Sequence, residues 1–555
     1  MLTSLADRVR PSVDALRQIA ANPGLLRLEL GSLAWSAADW TYLVGLSVLA
    51  FEAGGTGAVA LVSVIRSVPT VVLVPLVLGA TDVLPRDHML RLVVWGRVGF
   101  LVVASGLVIT GATPALIYVF AGVDAVASAL LRPLRSALTP ALARTPEELV
   151  AANVATTTGD AFAAMVGPGL AALILAVGEV PATYVAAALM IAVALAAVLP
   201  LHAAPDLERT AAPKGDGAPK RPRLSIFQTA RDLMAMPHAR VIVLLFAAQR
   251  FVRGVITVAI VAAAFDLLGL GEPGVGLLTS AIGLGGLFGG ALALGFVARP
   301  RLAPVFAAGL LAWGGGILAA GIVPNVFVVV LVFAIAGIGK TTLDTTGFTL
   351  LQRTTPNDRR SNVFALLEGV IAAVLGIGPV VAALMIDAIG ASWTLVIAGA
   401  LPLVLVALTW PVLRFTDDEA VVPQPAFRLL TNVAMFRPLQ LTTLETLARQ
   451  MVRRDAAAGS DVIRQGEHGD TFFIVETGRL ATVIDGVAVN ELGAGDSFGE
   501  IALLQASERT ATVRAVEDSR LVELAGDPFL AAVASTGDSA AAADEVVRGR
   551  LAATA

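Results

Sequence analysis

Residues 391–419 read ASWTLVIAGALPLVLVALTWPVLRFTDDE. From Ala391 to Leu413 no side chain is charged, a run long enough for the ~20-residue helix that crosses a bilayer. From Arg414 the chain changes character. Residues 415–555 hold 12 Arg, no Lys and 21 Asp and Glu, a net charge of −9. Residues 1–414 keep the other 27 basic and 22 acidic side chains, a net charge of +5. The boundary near 415 is therefore written in hydropathy and in charge together. An acidic tail behind a weakly basic apolar portion argues against a nucleic-acid partner.

Working back from 391, the same kind of run recurs. Apolar segments fall at about 26–51, 58–80, 90–111, 115–138, 153–177, 182–200, 240–265, 274–297, 303–322, 325–350, 363–386 and 391–413. With 56% hydrophobic and only 15% charged residues, the chain reads as a polytopic membrane protein of twelve spans. Connectors after the odd-numbered segments (Glu52–Gly57, Gly111–Pro114, Gly178–Pro181, Asp266–Pro273, Gly321–Asn325, Asp387–Ser392) contain no Lys or Arg. The others carry Arg86 and Arg91, Arg144, Lys214 to Arg231, Arg299 and Arg301, then Arg353, Arg359 and Arg360. Positive charge resists translocation, which predicts a cytoplasmic basic side, cytoplasmic termini and a cell-membrane location. Residues 1–25, with Arg8, Arg10, Asp14 and Arg17, read as a cytoplasmic interfacial segment rather than a cleavable signal. The absence of cysteine excludes disulfides, thiolate zinc sites and cysteine nucleophiles.

The connector 202–237 contains Ala212-Pro213-Lys214-Gly215-Asp216-Gly217-Ala218-Pro219-Lys220-Arg221-Pro222-Arg223, a composition expected of a flexible linker. It divides an N-half, 26–201, from a C-half, 238–414, and traces of duplication survive. Met165-Val166-Gly167-Pro168 corresponds to Gly376-Ile377-Gly378-Pro379, and Ala50-Phe51-Glu52 to Ala264-Phe265-Asp266. Two six-helix repeats with a substrate site between them is the expected plan. On these features residues ~20–414 resemble the major facilitator superfamily. Ser36-Ala37-Ala38-Asp39, and Asn153 followed by Gly167-Pro168, resemble its drug, macrolide and siderophore exporters. The family's loop between helices 2 and 3 corresponds to Gly79 to Arg86, shortened by one residue and lacking the Arg after Asp82; the resemblance implies a gating role for Asp82 and Arg86. It also implies export of a small apolar or amphipathic compound.

A charge at mid-membrane costs ~2.5–3.5 kcal/mol on insertion scales and so faces a cavity or a partner. Asp39 in segment 1 and Arg250 and Arg253 in segment 7 meet that description, and a 214-residue offset makes Asp39 and Arg253 equivalent in the two halves. The expectation is that Asp39 and Arg253 face each other across the pathway, with Asp39 exchanging a proton or forming a structural ion pair. Lys340 and Asp344, four apart on one helix face, neutralise one another. Asp124, Arg132, Asp160 and Glu368 are further pathway or packing candidates. Gly283, Gly285, Gly286, Gly289 and Gly290 are spaced for close helix packing.

After a joining segment, 415–430, the residues from 431 read differently. Residues ~431–455 suggest short amphipathic helices built on Phe436, Leu439, Leu444, Leu447 and Met451. Short strands then follow at Val462–Ile463, Phe472–Val475, Leu480–Ile484, Val487–Leu492 and Ala511–Ala515, with Asp485-Gly486 as a two-residue hairpin turn. Such spacing suggests a small jelly roll, giving the whole chain an all-α membrane portion plus an α+β domain. Within it lie Phe498-Gly499-Glu500-Ile501-Ala502-Leu503-Leu504 and Arg509-Thr510-Ala511-Thr512-Val513. These, with Gly466-Glu467-His468-Gly469-Asp470 and Gly478, resemble the phosphate-binding cassette of cyclic-nucleotide-binding domains across roughly 430–550. The resemblance implies that Arg509 holds the cyclic phosphate and Glu500 the ribose 2′-hydroxyl. Gly499 then permits close approach, Ile501, Ala502 and Ala511 donate backbone N–H groups, and Thr510 approaches the purine. The ligand implied is cAMP or cGMP, with cAMP favoured as the commoner one. Residues ~537–551 read as a terminal lid helix, on which Arg548 is a candidate to stack on the base.

Transport regulated by cyclic nucleotide is the reading these features favour. A cyclic-nucleotide-gated channel and a non-transporting receptor on a transporter scaffold are its rivals. An enzyme is disfavoured: His88, His202, His238 and His468 have no metal spacing, and neither a phosphate loop nor a nucleophile elbow occurs.

Overall fold

The structure is a computed structural model that describes residues 19–80, 85–201, 231, 233–297, 301–355, 357–417, 424–439 and 441–554. The chain separates into two compact units, 1–419 and 420–555. Asp82, most of the connector 202–237 and residues 418–423 of the joining segment lie outside the described residues.

The first unit is helical. Its elements are α1 (Pro23–Ala80), α2 (Arg86–Ile109), α3 (Pro114–Leu142), α4 (Pro146–Val177), α5 (Val180–Val198), α6 (Pro237–Ala262), α7 (Gly271–Val297), α8 (Ala303–Ile322), α9 (Val326–Thr354) and α10 (Asn357–Leu413). All ten are long and apolar enough to cross a membrane. Two of them, α1 and α10, have 58 and 57 residues. At 1.5 Å per residue each is ~85 Å of helix, far longer than a ~30 Å hydrocarbon core. Both are interrupted at glycine. Gly55 has φ 61° beside an extended Gly54 in α1, and Gly390 has φ 82° in α10, a region in which a Cβ is strained. Both breaks fall in connectors that the sequence analysis places between spans.

These helices expose many large apolar side chains, among them Leu76, Trp95, Leu173, Val177, Phe327 and Leu408, as a lipid-facing surface requires. In the N-half, α1 packs on α3, α4 and α5; in the C-half, α6 packs on α10, and α9 on α7 and α8. The halves meet chiefly through α4 and α7. A Cβ at Gly283 would collide with the Ala164 carbonyl, and one at Gly285 with that of Ala334, so the glycines of α7 serve close packing on both sides.

The second unit begins with α11 (Gln424–Asn432), a 3₁₀ turn (Ala434–Phe436) and α12 (Leu441–Gln450). Eight strands follow: β1 (Val452–Ala456), β2 (Asp461–Ile463), β3 (Thr471–Thr477), β4 (Leu480–Ile484), β5 (Val487–Leu492), β6 (Ser497–Phe498), β7 (Thr512–Ala515) and β8 (Ser519–Ala525). The short α13 (Glu500–Gln505) lies between β6 and β7, and α14 (Gly526–Val533) and α15 (Gly537–Thr554) end the chain. Two antiparallel sheets, ordered β1-β8-β3-β6 and β2-β7-β4-β5, form the jelly roll. The two-residue period of β3 builds two cores at once. Phe472 and Ile474 join Phe436, Leu524 and Phe529 under the helices, whereas Phe473 and Val475 join Leu480, Phe498, Val513 and Leu521 between the sheets. Asp485 (φ 51°) and Gly486 (φ 84°) turn β4 into β5, with Ile484 opposite Val487.

Residues 452–455 are strand β1, not the helix expected there. Val452, Arg453, Arg454 and Asp455 are all exposed, so the segment lacks the alternation that marks a strand. Backbone pairing to β8 holds it, helped by Arg453–Glu476 at 2.9 Å and Arg454–Glu523 at 3.7 Å.

Candidate functional site

The cassette begins where β6 ends. Gly499 adopts φ 92°, which turns the chain from β6 into α13. A Cβ there would lie 2.8 Å from both the Arg509 guanidinium and the Thr471 carbonyl. At Gly469 a Cβ would lie 2.6 Å from Arg509 Nε. Two absent side chains thus make the space in which Arg509 sits. Arg509 is 5% exposed and donates from its terminal nitrogens to the carbonyls of Gly499 (2.9 Å) and Thr471 (2.7 Å). Its buried Nε has no partner among the described residues. The loop beside it is pinned by Gly466 N–H donating to Arg509 O and Arg509 N–H donating to Glu467 O, at 2.9 and 2.8 Å. Burial pulls Arg509 below the ordinary guanidinium value, against the opposing pull of Asp470, Glu500 and Glu467.

Glu500, at the start of α13, is fully buried. Arg550 of α15 donates to its Oε1 at 2.7 Å, and Oε2 has no partner. Burial pushes the Glu500 carboxyl up, with Arg550 and Arg509 opposing. Ala502 and Ala511 are buried, Ile501 is half-buried and Thr510 is exposed at the rim. The terminal helix α15 is docked by Ser539 donating to Met435 O at 2.6 Å and by Ala543 in the core beneath. Arg548 points elsewhere: it donates to its own helix at Asp544 O, 3.3 Å away.

The membrane unit holds two charged clusters. In the N-half, the fully buried Arg97 of α2 bridges two carboxylates, Asp39 of α1 and Asp124 of α3 (2.8 Å). Ser128 donates to Asp39 at 2.7 Å, and Arg66 stands 4.0 Å from Asp124. Below them Arg135 grips Asp160 at 2.9 Å, and Thr156 donates to Glu29 at 2.9 Å. In the C-half, Arg250 (3.1 Å) and Lys340 (3.2 Å) share the one carboxylate of Asp344. The side chains of Arg253, half-buried, and Arg132, exposed, have no hydrogen-bond or ion-pair partner among the described residues. Arg253 lies in the electrostatic reach of Arg250, Asp344 and Arg132, the last from the other half. Glu368 is exposed and makes no ion pair among the described residues.

The halves touch at Phe51 and Phe265 (rings 4.6 Å apart), at Thr56 and Asp387 (2.9 Å) and at Ser280 and Met165 O (2.7 Å). The first two contacts lie at the connectors that lack Lys and Arg. An apolar groove of about 570 Å³ among α1, α4 and α5 is lined by Leu30, Leu33, Phe162, Val166 and Met190, and by none of the charged pathway candidates.

Comparison with known proteins matches residues 242–463 to the family model described as Major Facilitator Superfamily and residues 453–536 to that of the Cyclic nucleotide-binding domain. The chain joins a major facilitator superfamily domain to a cyclic nucleotide-binding domain. An uncharacterized protein of Mycobacterium tuberculosis is 47% identical over 94 residues, 17% of this chain and 19% of that protein. A cAMP-dependent protein kinase regulatory subunit of Debaryomyces hansenii is 36% identical over 85 residues, 15% of this chain and 19% of that one. A cyclic nucleotide-gated potassium channel of Rhizobium etli is 36% identical over 98 residues, 18% of this chain and 27% of that one. The chain spans about a fifth to a quarter of these relatives' length. The ten apolar helices and the superfamily match mark this as a multi-pass membrane protein.

The nucleotide-binding domain brings Gly499, Glu500, Ile501, Ala502, Arg509, Thr510 and Ala511 to one end of the jelly roll. Arg550 was not anticipated. Arg548 and Arg550 are two apart on one helix and face opposite ways, and sequence alone does not choose between them. In the transporter domain Asp39 pairs with Arg97, not with Arg253 as expected. Repeat symmetry makes positions equivalent without making them touch. Arg97 was passed over although it interrupts an apolar run between Trp95 and Phe100, the signal by which Asp39 was found. Arg86 donates to Ala137 O at 3.4 Å, and its gating partner Asp82 lies outside the described residues.

Proposed function

We propose that this protein is a secondary transporter whose cycle is set by a cytoplasmic cyclic nucleotide, with cAMP the favoured ligand. The observation that carries the nucleotide reading is the buried Arg509. Two of its five donors are spent on backbone carbonyls, which fix the fork, and Nε stands free beside Gly469. A cyclic phosphate is a compact monoanion, and a fixed guanidinium fork matches its oxygens. The free Oε2 of Glu500 is an acceptor for the ribose 2′-hydroxyl. A carboxylate beside the phosphate would repel it, so the sugar is the suitable partner. The likeness to a regulatory subunit named for cAMP favours cAMP over cGMP.

Breaks at Gly54–Gly55 and at Gly390 support twelve crossings in two halves of six. With the basic connectors cytoplasmic, the Phe51–Phe265 and Thr56–Asp387 contacts support a state closed toward the outside. The exporter-like motifs support export of a small amphipathic compound. Arginine side chains at membrane depth without partners among the described residues favour transport over a receptor that only borrows the scaffold, because an anchor gains nothing from them.

The test is titration of the purified full-length protein with cAMP and with cGMP by calorimetry, beside Arg509→Ala. Saturable binding that the variant loses supports the reading and names the nucleotide. Absence of binding to the unmutated protein removes nucleotide control and leaves the transporter reading standing.

A further inference from the structure

We infer that the apolar groove among α1, α4 and α5 is a binding site for an anionic phospholipid of the bilayer, with an acyl chain in the groove and the phosphate on Arg27. Only the membrane-spanning character of these helices is needed for this, not transport.

The groove exists because α4 and α5 each pack on α1 and hardly on each other, which leaves α1 as a floor between them. Small side chains deepen it: Ala34 and Ala37 of α1, Ala163 of α4, and Ala196 and Ala197 of α5. Leu30, Phe162 and Val193 also line it and are exposed, so the groove opens on the outer surface of the helical unit. The polar side chains of the same helices are engaged elsewhere. Ser32 accepts from Arg135, which grips Asp160, and Ser36 donates to Asp160 at 3.3 Å. Glu29 accepts from Thr156 at 2.9 Å. Among the described residues no charged side chain lines the groove.

Its depth follows from helix geometry. At 1.5 Å per residue, Leu30 to Ala37 on α1 and Met190 to Ala197 on α5 each cover ~10 Å. Counted from Arg27 the stretch is ~15 Å, half of a ~30 Å hydrocarbon core. The groove therefore belongs to one leaflet, the one at the N-terminal end of α1, where an acyl chain runs alongside the helices. Arg27 stands one turn before Leu30 and two before Ala34, on the same side of α1. Its side chain is exposed and has no hydrogen-bond or ion-pair partner among the described residues. A long basic side chain at a span's end reaches out to the level of the lipid heads.

Bilayer tails are as apolar as the groove, so placing a chain there brings no hydrophobic gain over the surrounding lipid. Selection comes from the head. A guanidinium fork matches phosphate oxygens, and one basic side chain at the membrane surface favours an anionic lipid by about fivefold. A zwitterionic lipid offers the same chain and phosphate without the net charge.

The experiment is photolabelling. The purified full-length protein is placed in phosphatidylcholine nanodiscs holding a trace of lipid with a diazirine on its acyl chain, either phosphatidylglycerol or phosphatidylcholine. Labelled positions are located by peptide mass spectrometry. Labelling by phosphatidylglycerol is expected to concentrate on the groove residues of α1, α4 and α5, exceeding that by phosphatidylcholine about fivefold. At Trp95 and Phe327, exposed apolar positions outside the groove, the two lipids should label alike. Arg27→Gln should abolish the head preference. Ala196→Phe, a filling substitution at an exposed position, should remove groove labelling by both lipids and leave the melting temperature unchanged. Groove labelling no denser than at Trp95 and Phe327, or a head preference that is absent or survives Arg27→Gln, overturns the inference. So does protection from both lipids in a protein that native mass spectrometry shows to be dimeric, for then a second copy covers the groove.

Discussion

Replacing Arg550 by alanine removes the ion-pair partner of a fully buried carboxylate, Glu500, with consequences for both stability and binding. Breaking a wholly buried pair costs ~3–5 kcal/mol, but the Arg550 side chain is 35% exposed and solvent screens it. A cost of about 1–2 kcal/mol to the nucleotide-binding domain is the appropriate size. Burial already holds the Glu500 carboxyl above its ordinary value, so the folded domain binds more protons than the unfolded chain between those two values. Stability therefore falls as pH rises through that window, and Arg550→Ala widens the window. Nucleotide affinity runs the other way. The ribose hydroxyl needs the ionised carboxylate as acceptor, so affinity is lost as pH falls through the raised value. Without Arg550 that loss moves to higher pH, and wherever the carboxyl is protonated it costs one charge-assisted hydrogen bond, ~1.5–2 kcal/mol, or on the order of tenfold or more in Kd. Calorimetric titration with cAMP from about pH 5 to about pH 8 reads this directly. Tighter binding by the variant, or an unchanged pH profile, would refute the reasoning, for it would mean that Arg550 competes with the ribose instead of supporting its acceptor.

Two further outcomes follow from the geometry. Gly499→Ala places a Cβ at φ 92° and 2.8 Å from the Arg509 guanidinium, so backbone strain of ~1–2 kcal/mol adds to displacement of the phosphate ligand. Calorimetry should show cAMP binding weakened by at least tenfold while the domain's far-ultraviolet dichroism is retained. Arg97→Leu strands Asp39 and Asp124 as neighbouring buried carboxylates, a loss of ~3–5 kcal/mol that should appear as a clear drop in the melting temperature of the detergent-solubilised protein. An Asp39→Asn, Asp124→Asn background should recover much of that loss.

How much of this could be read from the chain depended on whether the signal was local. The turn at Asp485-Gly486 sits between strands β4 and β5, whose ends fall where alternation of apolar residues puts them. The cassette was equally visible, because Gly499, Glu500 and Arg509 lie within eleven consecutive residues. Strand β1 was invisible for the converse reason. Its four exposed residues carry no alternation, and it exists because β8, more than 60 residues later, supplies hydrogen bonds. The mid-membrane charges divide along the same line. Asp39, Arg253, Lys340 and Asp344 were conspicuous as charges in apolar runs, and the i, i+4 pair of Lys340 and Asp344 is present. Longer-range pairing was not legible: Asp39 finds Arg97, 58 residues away on the next helix.

The repeat makes this last point general. Phe51 and Phe265 are equivalent under the duplication and do meet, 4.6 Å apart. Asp39 and Arg253 are equivalent under the same offset and do not pair. Equivalence under the repeat thus coincides with contact at the short connectors following α1's first span and α6, and not at Asp39 and Arg253 farther along those helices. An acid neutralised within its own half and an arginine whose side chain has no partner among the described residues are then independent solutions to the cost of charge in a membrane. The first builds a rigid N-half. The second leaves a guanidinium that no described side chain neutralises.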